Sequence, residues 1–285
     1  MEADPFAPVL FAIKLGLYGS ALTAAGLGLH AGLNIVAREG LSRTLRSATL
    51  AAAVAALFAA LRLGLANLQL GGVEAFSDAD TWLWTWPALG PSSTAIAFGA
   101  TALALAWRTR SRVAAAIGAV ALALSFALTG HSQGLDSPGL APWAVALHVI
   151  IAAFWFAGPI TLWPSPGLDE TAALIARVSQ FSAIATFAVP MLFALGLWLA
   201  LLLAGGWTAL VTSLYGQLLI GKLLAASFAL ALGAYNKTIV TARLRTAPEA
   251  GQRALKRTLG LDVFAFLIVL GAVAAATSLT GPPAP

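Results

Sequence analysis

Three histidines, His30, His131 and His148, are the side chains best suited to chemistry in this chain. Imidazole both ligates metals and carries protons near neutral pH. His131 closes one apolar block in Thr129-Gly130-His131-Ser132. His148 lies five residues into the next block, roughly 7–8 Å along a helix at 1.5 Å per residue. If these blocks are consecutive antiparallel helices, the two rings are expected to meet at one surface and form a metal site. A pair of imidazoles from neighbouring helices suits copper, and equally the axial positions of one b-type haem. Two bis-histidine haems would need four histidines, and the chain has three. His30 shares a helical face with Thr23 and Asn34. It reads either as a hydrogen-bonded packing residue or as a later metal contact. Met191, the only methionine besides Met1, has a soft thioether suited to Cu(I), though filling the core is its commoner use. With no cysteine, disulfides, thiolate metal sites and thiol catalysis are all excluded.

The elements that position these residues are set by composition. Of the 285 residues 60% are hydrophobic and 9% charged, with a mean hydropathy of +0.88, which leaves no water-facing shell for a soluble domain. The sequence predicts an all-α polytopic transmembrane helical bundle, a single integral-membrane domain over residues 1–285. About eight spans are expected, near 7–36, 47–69, 88–107, 113–130, 143–163, 178–204, 217–235 and 259–279. Alternate connections carry Arg38, Arg43, Arg46; Arg108, Arg110, Arg112; Arg177; and Lys237, Arg243, Arg245, Arg253, Lys256, Arg257. The other connections and both ends hold Glu2, Asp4, Glu74, Asp78, Asp80 and Asp136 and no basic residue. By the positive-inside rule both termini are expected outside, in the periplasm of a bacterium, with the chain in the inner membrane. The first block lacks a basic leader, so it is expected to be a retained span.

Tryptophans 82, 84, 86, 143, 163 and 207 cluster at span ends, as interfacial belts do. Gly16, Ser20, Thr23 and Gly26 are small enough to let helices approach closely. Pro190, near the middle of a span, is expected to kink it. Only Lys14, Arg62 and Lys222 carry positive charge within spans. Lys14 and Lys222 are expected to snorkel or to meet Glu74, Asp78 or Asp80, and Arg62 to face the bundle interior.

No enzyme constellation emerges. No carboxylate lies deep enough to orient a histidine as base, and Asp262 is expected to pair with Lys256 or Arg257 at the basic face. The basic residues form no face with interleaved aromatics, which argues against nucleic acid as a partner.

Residues 129–283 resemble the CopD family of bacterial copper-resistance membrane proteins. The likeness rests on Thr129-Gly130-His131, Leu147-His148, Ala152-Ala153-Phe154-Trp155-Phe156-Ala157-Gly158, Gln180-Phe181-Ser182, Tyr215-Gly216-Gln217 leading to Lys222, and Ala234-Tyr235-Asn236-Lys237. The resemblance implies copper passage across the inner membrane, uptake more than export. It marks His131 and His148 as metal-handling positions, and implies a separate periplasmic CopC-like copper-binding protein as donor. Residues 1–128 carry no matching motif. A copper ion is thus the expected cargo, with haem b or a metal-free scaffold as the other readings.

Overall fold

The computed structural model describes residues 5–130, 133, 137–164 and 171–280. His131 lies outside the described residues. Eight long helices follow one another: α1 (Ala7–Gly32), α2 (Arg38–Gly71), α3 (Ala79–Thr109), α4 (Arg112–Leu124), α5 (Ala141–Phe156), α6 (Thr171–Ala204), α7 (Leu214–Tyr235) and α8 (Pro248–Ser278). There is no strand among the described residues. Seven of the helical segments are long and apolar enough to cross a membrane. The other, α4 with its continuation to Leu128, is the shorter apolar helix Arg112–Leu128. The chain is therefore a multi-pass helical membrane protein. That shorter helix is at the low end of the length a hydrocarbon core of about 30 Å requires.

Local chemistry sets the helix ends. The Asp78 carboxylate accepts from the backbone N–H groups of Asp80 and Thr81 at the start of α3. Ser111 and Ser213 cap α4 and α7 in the same way. Proline stands in the first turn of α1, α5 and α8, where its missing N–H costs nothing. The end of α1 is closed from a distance: Arg112 donates to the carbonyls of Ala31 and Val36 at 2.6 and 3.0 Å, and Gln180 to that of Leu33 at 2.8 Å. These bonds satisfy carbonyls that have no partner within the helix. Helix α6 runs through Pro190 without a break in its helical assignment.

Small residues allow the helices to pack at close range. A methyl group on Gly26 would overlap the Ala153 carbonyl and come within 2.7 Å of Ala157 Cβ, so α1 meets α5 backbone to backbone. Gly99 and Gly118 do the same for α3 and α4. Alanines such as Ala21, Ala24, Ala48, Ala52 and Ala119 are fully buried in the core. In lipid, where apolar area gives helices little reason to associate, such close packing is the main attraction between them.

Two ends of the bundle can be told apart by cross-helix contacts. Lys14 on α1 meets Thr277 on α8, Arg62 on α2 meets Thr129, and Asn67 meets Thr85 on α3. The early turns of α1 and α3 therefore lie with the late turns of α2 and α8. At the other end, His30, Ala31 and Leu33 meet Phe154, Arg112 and Gln180. The basic connections all belong to this second end, the basic face, while Glu74, Asp78 and Asp80 belong to the first.

Candidate functional site

Three polar groups inside an apolar bundle demand an account, since a basic residue at mid-bilayer costs about 2.5–3.5 kcal/mol on the insertion scale. Lys14, Arg62 and Lys222 all line one cavity of about 420 Å³ in the half of the bundle away from the basic face. Contributions come from the early turns of α1, α3, α5 and α7 and the late turns of α2, α6 and α8. Most of the wall is apolar, but His148, Tyr18, Tyr215 and Thr129 face it as well. No carboxylate among the described residues lines it.

Two of the three cations behave differently from the sequence expectation. Lys14 does not snorkel outward. It is 7% exposed, and its ammonium donates to the Thr277 backbone carbonyl, one of the last, otherwise open carbonyls of α8. Arg62 does face the interior, and its guanidinium reaches the Thr129 hydroxyl at 3.4 Å. Lys222, partly buried on α7, makes neither a hydrogen bond nor an ion pair with any described residue. Lys14 and Arg62 lie within electrostatic reach of each other, as do His148 and Lys222. The reason for the difference is architectural: the early turns of α1 and α7 turn these side chains inward, away from the acidic loop.

His148 stands on α5 with its ring against Gly196 of α6, where a side chain would crowd its Cε1 at 3.0 Å. Its Nδ1 is buried with no hydrogen-bond partner among the described residues. The ring therefore offers one unused nitrogen. Below it, Trp155, Phe156, Phe193 and Phe266 form an aromatic floor, with Trp155 edge-on to Phe266 at a centroid distance of 5.4 Å. Trp155 is buried in this floor at 6% exposure. It lines the cavity with His148, as its position two turns further along α5 suggests.

The other sequence candidates are placed elsewhere. His30 is fully buried, with Nδ1 2.7 Å from the Thr161 hydroxyl and Nε2 2.8 Å from the Phe154 carbonyl. Both ring nitrogens are used, and the ring packs on Phe154 and Phe181. Met191 is 42% exposed on α6 and does not line the cavity. Among the described residues no group of three or more His, Asp or Glu side chains could hold a metal ion. Asp262 departs from expectation: it is 5% exposed, its Oδ1 has no hydrogen-bond partner, and it forms no ion pair with Lys256 or Arg257. One turn beyond it on α8, Phe266 belongs to the aromatic floor.

Lys14 and Lys222, peripheral by their place in the sequence, share a chamber with Arg62 in the structure. The signal was available in their number: three basic residues are the only ones inside spans, and each lies nearer the same end of its helix.

A multi-pass helical bundle holding a largely apolar chamber faced by three basic side chains is the class of protein that this fold defines. The CopD family model, described as copper resistance protein D, matches residues 175–276 and supports the CopD family for this chain. The matched segment holds Gln180, Tyr215, Lys222 and Asn236, but it begins after His131 and His148 and is shorter than the 129–283 region suggested by motif. No curated protein and no solved structure matches. The family is one of copper-resistance membrane proteins.

Proposed function

We propose that this protein binds copper at a site built on His148, with His131 as second ligand, and moves it across the bacterial inner membrane, inward more than outward. The observation that carries the reading is the buried Nδ1 of His148, without a partner among the described residues, in a chamber at the end of the bundle opposite the basic face, within a chain that carries the CopD match. An imidazole nitrogen without a proton or a partner is what a copper ion requires. The charge asymmetry supports a periplasmic position for the chamber and for both termini, because basic connections are retained on the cytoplasmic side. A separate periplasmic CopC-like protein is the donor this arrangement suits. His30 and Met191 contribute less to the reading, one because both its nitrogens are occupied, the other because it lies outside the chamber.

A second reading, a b-type haem protein, is favoured by one observation: an apolar cavity with a free imidazole nitrogen and three cations is also suited to a haem and its propionates. Metal analysis and an absorption spectrum of the purified protein separate the two. Colourless protein carrying close to one copper per chain supports the first reading. A Soret band with no copper replaces it with the second.

A further inference from the structure

The chamber contains more positive charge than a copper site needs. Lys14, Arg62 and Lys222 line it together, and no carboxylate among the described residues faces them. Lys14 and Arg62 lie within electrostatic reach of each other, and Lys222 makes no hydrogen bond or ion pair with a described residue. Ionisable side chains inside a membrane are retained where they meet a ligand, a counter-ion or water. Most of the remaining wall is hydrocarbon, from Leu17, Ile96, Val149 and Leu199 among others. A halide would leave most of that wall facing empty space. At about 420 Å³ the chamber falls within the usual range of small-molecule sites, in which an apolar wall holds the body of a ligand and a few polar groups orient it.

We infer that the chamber binds an amphipathic organic anion, its carboxylate or phosphate head held between Lys14, Arg62 and Lys222 and its apolar body lying against the helix walls. The Thr129 hydroxyl, already beside Arg62, supplies a neutral donor for the same head group. Such a ligand is either a soluble organic acid or an anionic lipid that enters from the bilayer. The inference is independent of copper at His148 and stands or falls separately.

The test uses the full chain in a neutral detergent. Octanoate is expected to raise the thermal midpoint and to bind saturably, while octan-1-ol at the same concentration does neither. In nanodiscs containing both phosphatidylglycerol and phosphatidylcholine, native mass spectrometry reads retention of the anionic lipid, which identifies the bilayer as the source if octanoate has no effect. Lys222→Gln removes a charge that makes no hydrogen bond or ion pair with a described residue, and is expected to weaken binding in the responding arm about tenfold, as loss of one charged hydrogen bond does. Lys222→Arg is expected to restore it. If Lys222→Gln fails to fold, the comparison of octanoate with octan-1-ol on the unaltered chain decides. Equal behaviour of charged and uncharged probes in both arms, binding unchanged by Lys222→Gln, or a Soret band that places haem in the chamber would overturn the proposal.

Discussion

The Lys14 ammonium donates to the Thr277 backbone carbonyl, which ties the first helix of the chain to the last. Tyr18, one turn along α1, reaches the Thr277 hydroxyl at 3.4 Å and reinforces the seam. A hydrogen bond from a charged group contributes about 1.5–3 kcal/mol. Lys14→Ala is therefore expected to lower the thermal midpoint of the detergent-solubilised protein. Lys14→Gln, which keeps an N–H donor and relieves repulsion with Arg62, should retain most of it. A Lys14→Ala protein as stable as the original would show that the seam contributes nothing.

His30 is expected to behave as a structural residue. Its two hydrogen bonds join α1 to α5 and to the Gly158–Thr161 turn, and its ring completes a cluster with Phe154 and Phe181, themselves stacked at 5.0 Å. His30→Ala should cost about 2 kcal/mol or more in stability through a cavity and orphaned polar groups. Copper bound per folded chain should not change. A stable His30→Ala protein that has lost copper would reverse this assignment.

Close packing at Gly26 makes a third expectation. Gly26→Leu would drive a side chain into the Ala153 backbone, where nothing flexible can give way, so α1 and α5 must separate. Loss of the monodisperse folded peak in size-exclusion chromatography is expected. Gly221→Leu, at a position with open space around it, should be tolerated.

How much of this was legible in the sequence depended on the physics involved. The run of apolar spans and the separation of charge follow from local rules of hydropathy and lipid solvation, so each expected span falls on one of α1 to α8, although α2, α3 and α8 begin about ten residues earlier. Depth along a helix was equally legible, which is why His148 is found in the half of the bundle away from the basic face and His30 at the basic end. Direction around the helix axis was not. Whether Lys14 and Lys222 point outward or into a chamber, and whether Asp262 meets Lys256 or turns inward, is decided by which neighbour each helix packs against. That information lies in tertiary packing, beyond any single segment's pattern. His30 illustrates the same limit: its partners Phe154 and Thr161 are far away in sequence, so nothing local announces that both nitrogens are taken.

Asp78 offers a pH test outside the membrane. Hydrogen bonds from the Thr81 hydroxyl and from the backbone N–H groups of Thr81 and Asp80 hold its carboxyl below the usual carboxylate range. A group whose pKa is lower in the folded protein stabilises it above the unfolded value. That contribution disappears as pH falls through the folded value. The Asp78→Ala protein should therefore show a lower thermal midpoint than the original at neutral pH, and the gap should narrow as the pH falls below the usual carboxylate range. A gap of constant size across that range would remove the carboxylate from the account.

Topology can be read directly because the chain has no cysteine of its own. In intact cells, Ser77→Cys is expected to react with a membrane-impermeant maleimide added outside. Thr109→Cys, at the opposite end of α3, should react only after permeabilisation. The reverse pattern would place the chamber on the cytoplasmic side.

The central claim is that His148 provides the copper ligand of this chamber. Competition against a colorimetric Cu(I) chelator, on the purified full chain and on His148→Ala, tests it most directly. The account predicts one tight copper per chain, with affinity falling at least about tenfold in His148→Ala while the thermal midpoint and chromatographic profile of the folded protein are preserved. Copper affinity unchanged in a well-folded His148→Ala protein would contradict it.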